Sequence, residues 1–209
     1  MPLAEILSFE RPSYYWESHA GSARYQMVDD PERQFGAHRF LTVSGNYPQL
    51  DRSRYRSQLL SMASESGRLD SYPGSPLVAM TELESAASYL FCDTDEGSTH
   101  DLRVMADRLG LGSKVVLADT DGMSALHGEL ATRSLQWQVI AHLDPFGPHA
   151  RGPAGLSALD LAAELIANDV GLMYWYGYSH PSERAWALEE LGDYDNVSRL
   201  WCGDIMIGA

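Results

Sequence analysis

At 209 residues with 44% hydrophobic content, the chain can bury a full core without a disulfide or metal staple, and one domain is the default expectation. A formal net charge of −14, with Lys114 the only lysine, weighs against a long RNA or DNA and toward a small neutral or cationic molecule or a partner protein. The two cysteines form no metal pattern and fit a reducing compartment, no charged-then-apolar leader opens the sequence, and no apolar run approaches the length of a membrane helix, so a cytoplasmic protein is expected, with a homo-oligomer left open.

In chain order, residues 13–17 read as a short aromatic strand ending on Glu17, followed by a loop of small residues around Ala20, Gly21, Ser22 and Ala23. A loop of this kind at the carboxyl end of a first strand is where a ligand meets backbone in α/β proteins. It lacks the spaced glycines of the dinucleotide fingerprint and the Lys-Ser/Thr ending of a phosphate loop, so pyrophosphate binding is poorly supported. A tight structural turn explains the loop equally well.

Residues 26–70 are too long for a direct crossover and read as an insertion at the active-site edge, with a helix over 51–65 stopped by Gly67. Within and just before it, Arg24, Arg33, Arg39, Arg52, Arg54 and Arg56 form the one local basic grouping, the feature that keeps RNA in view as a partner. A Pro73-Gly74-Ser75-Pro76 turn then leads into a helix over 76–87.

From there strands and helices alternate: strand 89–93, helix 98–109, strand 114–118, helix 122–130 and strand 137–143. A helix over 157–167 follows, with a Ser157/Asp160 capping box, then strand 171–176, helix 181–191 and a last strand at 204–207. Short apolar strands alternating with helices of this size predict a doubly wound, mostly parallel α/β sheet covered on both faces.

Beyond Glu17, three further strand ends carry carboxylates. Asp93 closes one strand and suits the paired hydroxyls of a ribose, or else structural capping; Asp95 and Glu96 crowd the same turn and are either solvated or cap the Ser98 helix. Asp121 precedes a helix and suits either an exocyclic amine or an N-cap. Asp144-Pro145-Phe146-Gly147 places an acceptor, a rigid bend and a stacking ring in series, or marks a plain turn. His142 alternates with core positions and reads as a satisfied structural histidine. No histidine or cysteine cluster suggests a metal.

These pieces in this order resemble the class I S-adenosylmethionine-dependent methyltransferases, and most closely the RlmJ family, which methylates adenine N6 in large-subunit ribosomal RNA. That family follows an acidic strand end with Thr-His-Ala-Gly-Ala-Gly-Arg-Tyr, where this chain has Glu17-Ser-His-Ala-Gly-Ser-Ala-Arg-Tyr25. Its Tyr-Pro-Gly-Ser-Pro-Leu turn matches Tyr72 to Leu77, its Cys-Glu-Leu-His strand end Cys92 to Asp95, and its Glu-Asp-Gly Thr120 to Gly122. Its Asp-Pro-Pro-Tyr falls on Asp144-Pro-Phe-Gly147, a variant also resembling the three-Cys-motif partner proteins.

The resemblance implies a Rossmann-like methyltransferase fold with S-adenosylmethionine as cofactor. Glu17, His19 and Gly21 would line its methionine part, Asp93 would hold the ribose and Asp121 the adenine. Asp144, Pro145 and Phe146 would face the reacting amine. Tyr176, Tyr178 and His180, in and after a strand similar to the family's Leu-Trp-Tyr-Pro, would border the acceptor together with Arg24. The chain departs from the family in lacking a basic, histidine-containing segment before the first strand and in carrying Phe146 and Gly147 in the catalytic motif. The expectation is therefore N-methylation of a small molecule. An RNA adenine methyltransferase and a catalytically silent binding or assembly protein are the alternatives.

Overall fold

The computed structural model describes residues 2–27, 34–64, 69–132, 138–145, 147 and 149–175. The helix expected at 181–191, the strand at 204–207 and the candidates Phe146, Tyr176, Tyr178 and His180 lie outside them.

Five parallel strands form the central sheet: β1 (Tyr14–Glu17), β4 (Ser88–Cys92), β5 (Val115–Ala118), β6 (Val139–Leu143) and β7 (Gly171–Tyr174). Their spatial order is β5-β4-β1-β6-β7, so the chain winds outward from β1 to one edge and then returns to build the other. The reversal lies between β1 and β6, where Tyr14 through Glu17 align with Val139 through His142. In such sheets the crevice at the reversal, outside the carboxyl ends of the strands, is the place for a ligand.

The strands are apolar on both faces, as a covered parallel sheet requires. Tyr15, Tyr89, Phe91 and Ile140 point into one core with α1 (Pro2–Glu10), α5 (Ser75–Leu83) and α6 (Glu96–Arg108), which contribute Leu3, Leu7, Val78, Met80, Leu102 and Met105. Trp16, Leu90, Cys92, Ala141 and Leu143 point into the other, against Met123 and Leu126 of α7 (Gly122–Thr132) and Leu161 and Leu165 of α8 (Ala158–Ala167). The period-2 alternation then puts Glu17 and His142 on the first face, two residues beyond Tyr15 and Ile140 and level with Phe91.

The sequence does not announce α1. Its nine residues are helical because Leu3, Ala4 and Leu7 are buried against α5, a tertiary gain that a short isolated helix lacks. The segment before β1 is thus part of the core.

The insertion is built around its own small core. The strands β2 (Arg24–Gln26) and β3 (Ser71–Pro73) pair antiparallel and close its base, with Tyr25 and Tyr72 stacked at 5.4 Å. Between them run α2 (Arg39–Ser44), α3 (Pro48–Asp51) and α4 (Arg54–Met62). The single helix expected over 51–65 is divided because Ser53 is extended and caps α4, accepting the Arg56 N–H at 3.2 Å. Leu59 and Leu69 are buried with Ala37, and Tyr55 links this core to the main one.

Other boundaries move by one to four residues, the largest at the end of α5, where residues 84–86 tighten into a 3-10 turn. Asp95 caps α6, so that helix starts at Glu96 rather than Ser98, and β7 ends at Tyr174, leaving Trp175 exposed beyond it. The Ser157/Asp160 capping box forms in both directions. Among the described residues no helix is long and apolar enough to cross a membrane.

Candidate functional site

The carboxyl ends of β1, β4, β5 and β6 meet along one edge of the sheet and carry, in turn, the loop from Ser18 to Ala23, Asp93, Asp121 and Asp144. The β1 loop is held from below by backbone: Ser18 N–H donates to the His142 carbonyl and Ala20 N–H to the Cys92 carbonyl. Gly21 has φ +62°, the left-handed region where a side chain costs energy, and this exposes its N–H to Asp93. Gly122 passes so close beneath the loop that a Cβ there would overlap the Ser18 carbonyl oxygen.

Asp93 is engaged through both oxygens. Oδ2 accepts the Gly21 N–H at 2.7 Å and Oδ1 accepts the Asp95 N–H at 2.8 Å. Each carboxylate oxygen keeps a second acceptor direction. Asp121 caps α7: its Oδ2 accepts from the Ser124 N–H at 2.9 Å and the Ser124 hydroxyl at 2.6 Å. Gly152, on the loop after β6, lies against the Asp121 carboxylate, so that a Cβ there would press on both its oxygens at 3.1 Å and on the end of the Met123 side chain.

Glu17 is not at the surface of the loop but underneath it. Its side chain is 0% exposed and three groups surround it: the Ser75 hydroxyl and His142 Nδ1 on Oε1, the latter at 2.8 Å, and the Tyr15 hydroxyl donating to Oε2 at 3.2 Å. Burial raises its carboxyl above the usual range, and those partners, His142 foremost, pull the other way. For His142, burial alone would depress the imidazole; the adjacent Glu17 carboxylate outweighs that and holds it above its ordinary value. The expectation that His142 is a satisfied histidine agrees with this contact. Its partner, Glu17, was expected instead to line a ligand.

His19 sits above, its Nδ1 2.7 Å from the Ser18 hydroxyl. Burial lowers its imidazole, against the opposing pull of Asp144, Asp121 and Asp93. The three strand-end carboxylates therefore converge electrostatically on one imidazole. Asp144 itself is open to solvent by surface area, yet the protein atoms crowding it desolvate the carboxyl enough to raise it, with His142 and His19 opposing. Pro145 behind it is buried.

Two groups of expected residues are not gathered at this edge. Arg24 is exposed on β2, its backbone N–H donating to Asp101 at 3.3 Å. The helix α4 arginines are turned to local partners: Arg54 to Glu82 at 3.0 Å, and Arg56 to the Ser44 hydroxyl at 3.0 Å and Asp51 at 3.4 Å. Cys92, buried in β4, has its thiol pushed up to about 12 by burial and is no nucleophile. Among the described residues no group of three or more ligating side chains forms a metal site.

The residues that sequence reasoning did not bring to the site are Tyr15 and Ser75. The usable signal for them was parity: Tyr15 and Glu17 share a strand face, His142 is the register partner of Glu17, and Ser75 opens the helix packed on that face.

No family model and no curated protein matches the chain. Among solved structures it is similar to the crystal structure of protein LPL1258 from Legionella pneumophila, assigned to the family model DUF519. The two share 22% identity at a TM-score of 0.67, over 91% of this chain and 68% of that one. The likeness is one of fold.

Proposed function

We propose that the chain is a class I S-adenosylmethionine-dependent methyltransferase that methylates nitrogen on a small molecule. The observation that carries this reading is the bond between Gly21 and Asp93. It joins the loop after β1 to the carboxylate ending β4, beside the topological reversal of a parallel sheet. Asp121 and Asp144 extend the same edge in both directions.

The residues present suit this cofactor. The small side chains of Gly21, Ser22 and Ala23 leave backbone open to close approach, and Asp93 keeps acceptor capacity for ribose hydroxyls. Asp121 has one oxygen outside its capping bonds for an exocyclic amine. The converging carboxylates favour a cationic centre. When bound, S-adenosylmethionine supplies a methyl group already activated by its sulfonium. The protein is then left with alignment and exclusion of water.

In this reading Asp144 accepts a hydrogen bond from the acceptor nitrogen and turns its lone pair toward the incoming methyl. Pro145 fixes the direction of that carboxylate. His19, its imidazole lowered by burial, adds little competing positive charge where the sulfonium sits. The acidic chain and the locally paired arginines favour a small amine over a polyanion.

A second reading draws on the same contacts. Asp93 and Asp121 already serve the fold, one pinning a loop and the other capping a helix, as they would in a silent methyltransferase-like binding protein. Titration calorimetry with S-adenosylmethionine and S-adenosylhomocysteine separates the two. Micromolar binding of both at one site per chain is expected. No heat at millimolar ligand from a folded sample would sink the enzyme reading and leave the binding protein.

A further inference from the structure

The loop after β1 is held from two sides. From the sheet, the Cys92 carbonyl accepts the Ala20 N–H and Asp93 accepts the Gly21 N–H. From the insertion, one side chain reaches back to it: the Tyr25 hydroxyl accepts the Ser22 N–H at 3.0 Å. The same oxygen stands where a Cβ of Gly21 would be, and the edge of the ring lies 3.0 Å from the Cβ position of Gly74. Gly74 in turn donates to the Ala23 carbonyl at 2.9 Å and passes so close that a side chain there would overlap the Ser22 carbonyl oxygen.

Tyr25 also belongs to the base of the insertion. It is the register partner of Tyr72 across β2 and β3, and the two rings stack at 5.4 Å. Tyr72 packs on the small core of Leu59 and Leu69. That stack needs only the ring, and a phenylalanine would serve it as well. A half-buried hydroxyl costs desolvation unless it finds a partner. The partner found is outside the insertion, one residue from the bond between Gly21 and Asp93. Burial raises the Tyr25 phenol above its ordinary value, with the Ser22 N–H opposing, so the hydroxyl stays protonated and neutral around neutral pH.

We propose that Tyr25 is a positioning residue: its hydroxyl, held in place by the stack on Tyr72, fixes the Ser22 N–H and with it the turn that presents Gly21 to Asp93. The insertion thereby sets the shape of the ligand loop. The use of that shape in donor binding rests on the methyl-transfer reading; the hold on the loop does not.

The physical reason lies in Gly21. At φ +62° it occupies one of several conformations open to a glycine, so contacts on either side must select it. Asp93 supplies one contact and the Tyr25 hydroxyl the other. Without the hydroxyl, the Ser22 N–H turns to water and the peptide before it is free to rotate, which loosens Gly21 against Asp93.

The test is amide hydrogen exchange by NMR on the full chain, comparing wild type with Tyr25→Phe, which keeps the ring and its stack. Exchange at Ser22 and Gly21 should speed up about tenfold, the effect of one lost hydrogen bond, while Leu59 in α4 changes several-fold less. A wild-type rate at Ser22, or an equal change at Leu59, overturns the proposal, because a tyrosine that only packs would loosen the insertion as a whole. Affinity for S-adenosylhomocysteine, read by calorimetry on the same samples, should fall about tenfold. Faster loop exchange with unchanged affinity overturns the positioning role. Should Tyr25→Phe not fold, exchange in the wild-type chain decides: Ser22 protection of about tenfold or more over an unstructured peptide supports the hold on the loop, and less overturns it. A wild-type chain that binds no S-adenosylhomocysteine removes the methyltransferase reading, and the exchange rates alone then decide whether Tyr25 holds the loop.

Discussion

Asp93 accepts the backbone N–H of Gly21 at 2.7 Å, joining two strand ends that are 72 residues apart in sequence. The bond pins the β1 loop at Gly21, whose left-handed φ of +62° a glycine adopts without strain, and it leaves each Asp93 oxygen a second acceptor direction.

Asp93→Ala should therefore have two effects. Loss of a charged acceptor from the Gly21 and Asp95 N–H groups lowers unfolding stability by about 1–3 kcal/mol. Donor affinity falls by about 2 kcal/mol or more, roughly 30-fold, because ribose contact and loop shape are lost together. Urea denaturation and calorimetry on one preparation check both. Wild-type donor affinity in a folded variant would remove Asp93 from the cofactor site.

Two glycines of α7 should respond in opposite directions. At Gly122 a methyl group would overlap the Ser18 carbonyl oxygen, so Gly122→Ala must displace the β1 loop or the helix and should cost about 1–3 kcal/mol. Gly128 faces open space on the same helix, and Gly128→Ala should gain about 0.5–1 kcal/mol from reduced backbone entropy in the unfolded chain and better helix propensity. Melting temperatures of the two variants should straddle the wild type.

Stability should decline on both sides of a mildly acidic optimum. Ser98 donates to Asp95 and Ser157 to Asp160, holding both carboxyls below their ordinary values. Their contribution is present above about pH 4 and is lost as pH falls through those lowered values. His142 works in the other direction. Its raised imidazole contributes fully below about pH 6.5, and that contribution is lost as pH rises through the folded value. Glu17, raised by burial, keeps its proton to higher pH folded than unfolded and adds to the alkaline decline. Urea midpoints across pH should trace this shape, and His142→Gln should flatten its alkaline side. An unchanged alkaline slope in that variant would assign the decline to other groups.

RNA binding should be weak. Arg54 and Arg56 are paired with acids of the same chain, and the overall charge repels phosphates. Filter binding at low salt should find no submicromolar complex. A tight complex with a steep salt slope would restore the RNA acceptor.

Much of the architecture could be read from residue types. Aromatic and aliphatic runs at strand length, alternating with capped helices, define a parallel sheet covered on both faces, because only burial on two sides tolerates such strands. The Ser157/Asp160 box and the acidic strand ends at Asp93, Asp121 and Asp144 are local signals in the same sense: each depends on side chains a few positions apart.

What the tertiary structure alone decided are contacts between distant positions. A nine-residue helix at the start of the chain exists because Leu3 and Leu7 find α5. The arginines of α4 look like a basic patch in sequence and are internally paired in space. Glu17 looks like a ligand-facing strand end and is instead buried against Ser75 and His142, 58 and 125 residues away. Periodicity records which face a side chain takes, but not which neighbouring strand will be there to meet it. That is fixed by sheet order, and sheet order depends on loop closure and packing over the whole chain.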